Sequence, residues 1–343
     1  MGLSHNIPGI LVKKGYNSLT RWIFVLFFWR RMEEAVLGAV NLATVRMPDQ
    51  SELPSYEPRL RPNRFLSADG RPLVVKVSQA NPIAACQQAL ALLGGLGGFP
   101  LANKSVLVKP NFNSPHPYPA TTDPVVLNWL IECLYQNGAA KVIVGESSGA
   151  PWWPTNKVLA KLGVFDAVAR AGGEVVIFEE RNEWVKVATG GRFFPFVVIP
   201  RLLFEVDIII FLSLLKVHRY ARISGALKLA VGLLHPAQRR SLHLSNLEEK
   251  IVDLNRACQP DLVIADCRET FITEGPTIGI KEAPGVILAS GNPVAVDLEG
   301  VSLLSSFEAR NRLDSDPGRL AMFRYALTTE LAPKSGRYLV VDS

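Results

Sequence analysis

The run Asp207–Leu212, D-I-I-I-F-L, constrains this chain most. Five large apolar residues in succession lack the alternation of a strand with one wet face. They read as a strand buried on both sides, which requires a sheet covered by other elements on both faces. Chemistry-bearing residues crowd the segment that follows it. Lys216 and His218 come at once, then Gly225, Lys228, Gly232, His235 and His243, so this stretch holds three of the five histidines. A purely structural role accounts for the strand but poorly for that series.

The neighbouring sequence has the period that such a sheet demands. Short apolar runs at 73–77, 105–108, 141–144, 174–178, 261–265 and 285–289 read as strands, and most are separated by helical stretches. Asn81-Pro82, Asp123-Pro124 and Asn292-Pro293 each pair an N-cap residue with proline at the first helical position. Further helices are expected over 156–171, stopped by Gly172-Gly173, and over 245–258, opened by a capping box Ser245-x-x-Glu248. Residues 193–200 and 207–212 have no clear helix between them, which suggests a small antiparallel insertion. The expected class is α/β, a mainly parallel sheet covered by helices in Rossmann-like layering.

In such sheets ligands sit beyond the carboxyl ends of the strands. Lys109, Asn111, Glu146, Ser213, Lys216, His218, Asp266 and Ser290 all follow apolar strand runs. Lys109-Pro110-Asn111-x-Asn113 combines a rigid turn with a cation and two amides, a set able to grip an oxyanion. Gly145-Glu146-Ser147-Ser148-Gly149 offers backbone N–H groups to an anion, although it matches no nucleotide fingerprint. Lys216 and His218 fall on one face of an extended segment, and the lysine should keep the histidine neutral. Lys228, alone in an apolar stretch, is a candidate nucleophile or anion clamp. His218, Lys216 and Lys228 are therefore the catalytic candidates, with Lys109, Asn111, Asn113, Glu146, Ser147, Asp266 and Thr277 as substrate-binding candidates. His235 and His243 rank lower, because Arg239-Arg240 beside them reads as a surface loop. No metal is assigned, since no H-x-x-x-H or H-E-x-x-H spacing occurs.

Composition narrows the function classes. The net charge is +6, of which residues 1–72 contribute +4 (ten Lys/Arg against six Asp/Glu). A near-neutral body with a basic arm argues against nucleic-acid binding. Within the arm, Trp22–Trp29 (W-I-F-V-L-F-F-W) is flanked by Arg21 and Arg30-Arg31. Eight residues are too few for a bilayer span, which needs about 20. Peripheral membrane contact through residues 21–31 and a helix docked on the protein's own core or on a second subunit are equal readings. The four cysteines, Cys86, Cys133, Cys258 and Cys267, are scattered, which fits a reducing, cytoplasmic location.

Eight segments together resemble the DUF362 family. They are V-L-V-K-P-N at 106–111, T-T-D-P at 121–124, V-I-V-G-E-S-S-G at 142–149, L-K-V-H at 215–218, G-A-L-K at 225–228, I-V-D-L at 251–254, G-P-T-x-G at 275–279 and N-P-V-A-V-D at 292–297. The resemblance implies three parts. These are an amino-terminal extension with a proline-rich linker over 1–68, an α/β domain over 69–306, and a tail over 307–343 packing on that domain. Many members carry ferredoxin-type cysteine motifs. This chain has none, so no iron–sulfur cluster is expected from it alone, and its cofactor is unassigned. It also has Leu214 where the family's L-P-K-x-K-x-H has a lysine. The leading expectation is an enzyme acting on a small carboxylate or phosphate through a Lys/His site. The alternatives are a redox-associated protein using an external iron–sulfur partner, and a non-catalytic anion or metal-binding protein at a membrane surface.

Overall fold

The structure, a computed structural model, describes residues 46–343 apart from residues 60, 97–98 and 150–152 and the side chain of residue 335. The aromatic octet and the expected membrane contact of residues 21–31 lie outside the described residues. Eight strands form one sheet: β1 Leu73–Ser78, β2 Ser105–Lys109, β3 Lys141–Glu146, β4 Glu174–Ile177, β5 Ile208–Leu214, β6 Leu262–Cys267, β7 Val286–Ser290 and β8 Leu339–Asp342. Their spatial order is β8-β1-β7-β6-β5-β2-β3-β4. Seven run the same way and β7 runs against them. The fold is thus a mainly parallel α/β sheet.

Alternation along the strands divides the core in two. Val106, Val108, Ile208, Ile210, Leu262 and Ile264 pack on one face, while Leu107, Ile209, Phe211, Val263 and Ala265 pack on the other. All seven residues of β5 are buried, as its unbroken apolar run requires. Helices α1 Pro82–Leu92 and α2 Pro124–Gln136 cover the first face. Helices α3 Gln238–Leu244, α4 Leu247–Ala257 and α5 Pro293–Ser305 lie on the second-face side of the chain. The three Asx-Pro starts cap as their chemistry dictates. Asn81 accepts from the N–H groups of Ile83 and Ala84, both at 3.0 Å, Asp123 from Val125 at 2.9 Å, and Asn292 from Ala295 at 2.8 Å.

Several local expectations change. The helix expected over 156–171 is two helices, Thr155–Lys161 and Val164–Arg170, broken where Gly163 takes the left-handed conformation. The capping box at Ser245 does not form. Asn246, at φ 50°, precedes α4 without a side-chain cap, and Glu248 instead accepts from the Met322 N–H at 3.1 Å. Ser290 ends the one reversed strand, so it lies at the opposite edge from Lys109 and Glu146. The antiparallel pair exists, but it joins Trp184–Ala188 to Phe196–Pro200, with Ser55–Tyr56 as a third strand alongside. The proline-rich stretch is not free of the body. Arg59 donates to the Val206 carbonyl at 2.5 Å, Arg61 pairs with Asp261, and Phe65 stacks on Phe99.

The carboxyl ends of β2 and β3 are tied by an ion pair out of water. Lys109 Nζ donates to Glu146 Oε1 at 2.5 Å and to the Pro110 carbonyl at 2.6 Å. Glu146 also accepts from the N–H groups of Phe112 at 2.8 Å and Ser147 at 2.7 Å. Burial pulls the Lys109 pKa down and the glutamate opposes that pull. Removing one member strands a charge in a dry site, which costs about 3–5 kcal/mol. Lys109→Met is therefore expected to lower unfolding free energy in denaturant by that amount. The double variant Lys109→Met/Glu146→Gln should recover most of the loss. A loss in the single variant below about 1 kcal/mol would mean that the pair does not hold these strand ends.

Candidate functional site

A cavity of about 510 Å³ opens beyond the carboxyl ends of β2 and β3. Three segments build its walls. The loops after β2 and β3 lock to each other: Gly149 N–H donates to the Asn113 carbonyl at 2.9 Å, and Ser148 Oγ to the Phe112 carbonyl at 2.6 Å. A side chain at Gly149 would drive its Cβ to 2.6 Å from the Asn113 oxygen, so the contact requires glycine. The second wall is the hairpin of Lys216–His218 with Arg222–Ser224. The third runs from the turn at Ala226–Leu229 to α3.

Seven of the ten sequence candidates line this cavity: Lys109, Asn111, Asn113, Glu146, Ser147, His218 and Lys228. Three do not. Lys216 is buried beside it, and its ammonium donates to the carbonyls of Pro119, at 3.4 Å, and Ala120. Burial, with Lys228 nearby, lowers its pKa to about 7. Asp266 is held by Arg268, at 2.7 Å, and by the Tyr118 hydroxyl, at 3.1 Å. Thr277 follows Pro276, which lines the cavity, but does not line it itself. His235 faces Trp184 edge-on and is also absent from the lining.

Arg239 and His243 enter instead. Arg239 is buried and, among the described residues, donates to neutral oxygens: the carbonyls of Leu234, at 2.9 Å, Ser148, at 2.6 Å, and Gly232, at 3.3 Å, and the Ser147 hydroxyl. The sequence signal read as a surface loop was the Arg239-Arg240 pair. The period of α3 separates the two, burying Arg239 and leaving Arg240 exposed.

The two lining histidines carry opposite tautomers. His218 Nδ1 accepts from the N–H groups of Tyr220 at 3.1 Å and Ala221 at 3.2 Å. A ring nitrogen that accepts has no proton, so the neutral ring holds its proton on Nε2. Burial, reinforced by Lys228 and Lys216, pushes the His218 pKa far down. His218 is thus a hydrogen-bond donor and a poor proton acceptor. His243 Nδ1 lies 2.7 Å from the Arg239 carbonyl, which can only accept, so Nδ1 carries the proton and Nε2 keeps its lone pair. Burial of part of the ring and the adjacent Lys228 lower its pKa, against that hydrogen bond, so the ring is neutral and able to accept.

Charge is unbalanced in the cavity. Glu146 is its only acidic lining residue among the described residues, and Lys109 already neutralises it. Lys228 has no hydrogen-bond or ion-pair acceptor among the described residues, and burial followed by Arg239 lowers its pKa to about 8. The Asn113 side-chain oxygen is buried without a partner. Gly232 lets the backbone pass over the ion pair, because a Cβ there would lie 2.9 Å from Lys109 Nζ. Asp297 holds the turn that bears Lys228 by accepting from the Ala226 and Leu227 N–H groups at 2.7 and 2.9 Å. Among the described residues no group of three or more His, Cys, Asp or Glu side chains is arranged to hold a metal ion. Nor is any helix among them long and apolar enough to cross a membrane.

Comparison with known proteins places this site within a family span. No curated protein matches the chain. Among solved structures, a crystal structure of a Thermotoga maritima protein aligns with a TM-score of 0.43 at 16% identity, over 66% of this chain and 59% of that one. The lactate racemase apoprotein from Thermoanaerobacterium thermosaccharolyticum aligns with a TM-score of 0.39 at 11% identity, over 67% and 57%. The chain thus spans less than two thirds of each of these proteins. The sequence profile described as "Domain of unknown function (DUF362)" matches residues 106–302. That span is more than half of the sequence and contains every cavity-lining residue, and the chain belongs to the DUF362 family.

Proposed function

We propose that the cavity binds a small anion, a carboxylate or a phosphate, and supports proton transfer on it. The observation that carries this reading is Lys228: a half-buried ammonium without an acceptor among the described residues, in a cavity whose one described carboxylate is already paired. A cation out of water without a counter-ion is costly, and an anionic ligand removes that cost. Arg239, fixed by neutral oxygens, adds a second charge at no cost in side-chain ordering. The His218 Nε2–H supplies a neutral donor. Proton removal from a bound ligand falls to His243 Nε2, since the Nδ1 of His218 is occupied by backbone donors. Lys109 and Glu146 shape the floor, and Asn111, Asn113 and Ser147 offer polar contacts along it.

Inorganic phosphate and oxalate are the simplest probes. Either should raise the thermal midpoint of the full chain, by the equivalent of about 2.7 kcal/mol at a hundred times its dissociation constant. Lys228→Met should abolish the shift while the ligand-free variant unfolds as cooperatively as the parent. A variant that keeps the whole shift removes Lys228 from the site, and a parent chain that shows none removes the anion reading.

The pH dependence has a definite sign. Lys228 titrates at about 8 in the folded state against 10.5 for the ordinary value. The folded protein thus binds fewer protons than the unfolded chain between those values, so this group makes ligand-free stability rise with pH across the window. Anion affinity runs the other way, because the charged ammonium is the binding form. Calorimetric titration should find phosphate affinity greatest below about pH 8, apart from the ligand's own ionisation, and falling above it. Oxalate, fully ionised throughout, separates the two effects, and an oxalate affinity unchanged from pH 7 to 10 would contradict the assignment.

A further inference from the structure

The mouth of the cavity differs from its floor. Among the described residues the three most exposed large apolar side chains are Leu244 at 83%, Tyr220 at 66% and Ile280 at 61%, and Ile278 is 53% exposed. All four belong to segments that line the cavity or lie against them. Tyr220 lines it directly, Leu244 adjoins His243 at the end of α3, and Ile278 and Ile280 belong to the loop that brings Pro276 into the lining. That loop is seated on the hairpin: Arg219 Nε donates to the Gly275 carbonyl at 3.4 Å, and a Cβ on Gly275 would overlap the Val217 carbonyl. Leu229, Val231, Pro236 and Pro276 give the lining itself an apolar part beside Lys228 and Arg239. Exposed apolar side chains on three segments that each contribute a lining residue point to a binding surface.

We propose that the ligand is amphiphilic, an anionic head group on a hydrocarbon chain, with the head against Lys228 and Arg239 and the chain lying over Tyr220, Leu244, Ile278 and Ile280. This rests on the anion reading above and adds the part of the ligand that lies outside the cavity. Burial orients the ligand: Arg239 is buried and Lys228 half-buried, whereas Tyr220, Leu244, Ile278 and Ile280 are exposed, as are the lining residues Arg219 and Arg240. A ligand of the opposite polarity, or a compact dianion, would leave the rim in water.

Calorimetric titration of the full chain with inorganic phosphate and with butyl, hexyl and octyl phosphate, each below its micelle-forming concentration, tests the idea. Hydrophobic transfer of a methylene corresponds to roughly a fourfold gain in affinity. The expected result is a two- to fourfold tightening per methylene until the rim is covered, with octanol binding far more weakly than octyl phosphate. Leu244→Ser and Ile280→Ser should flatten the chain-length dependence while leaving inorganic phosphate affinity unchanged, since neither residue lines the cavity, and Lys228→Met should weaken the whole series. If phosphate binds but the alkyl series is flat, the amphiphile is excluded and the anion site stands. If octanol equals octyl phosphate, the apolar surface acts without the cavity and the inference fails. If no member of the series binds, the anion reading fails and takes this inference with it.

Discussion

The ion pair between Lys109 and Glu146 is the interaction on which the rest of the site depends. It joins the last residues of two neighbouring parallel strands, with both side chains almost wholly buried. Its desolvation cost is offset by the Pro110 carbonyl and by the N–H groups of Phe112 and Ser147, so nearly every remaining lone pair and proton has a partner. Two consequences follow. The loops after both strands are fixed relative to each other, which sets Asn111, Asn113 and Ser147 at one wall. The cavity's only described acid is also consumed, which leaves Lys228 without an acceptor among the described residues.

The class of fold was legible because it rests on local rules. Unbroken apolar strands, Asx-Pro helix starts and glycine stops each act within a few residues, and the three caps form as their side chains dictate. What could not be read depends on neighbours. The direction of β7 is hidden because a strand buried on both faces looks alike parallel or antiparallel, so Ser290 was grouped with the wrong edge. The Ser245-x-x-Glu248 pattern lost to a tertiary partner, the Met322 N–H, which claims the glutamate. Gly163 splits a helix that periodicity alone would run straight through.

The same division runs through the candidate residues. Seven of the ten reach one cavity because strand ends in a parallel sheet point to one edge. Asp266 also ends a strand, yet Arg268 two residues later folds back and takes its carboxylate. Lys216 sits in a run as suggestive as any, but carbonyls of the loop at Pro119 and Ala120 claim it. No sequence pattern states which nitrogen of a histidine faces a backbone donor. That distinction turns His218 into a donor and leaves His243, at the mouth, with the free lone pair.

The topology also bears on what a family span means. Residues 106–302 contain the whole cavity, yet they omit β1 and β8. β1 is not peripheral to the sheet: it pairs with β7 on one side and β8 on the other. A protein cut to the matched span would turn Val286–Ser290, five buried residues without a charge, into an open edge with unpaired backbone groups. Such an edge recruits strands from other molecules. The matched span and the span that completes the sheet therefore have different ends: a fragment cut to the first exposes the edge of β7, and one reaching from Arg59 to Asp342 keeps every strand of the sheet flanked as it is here.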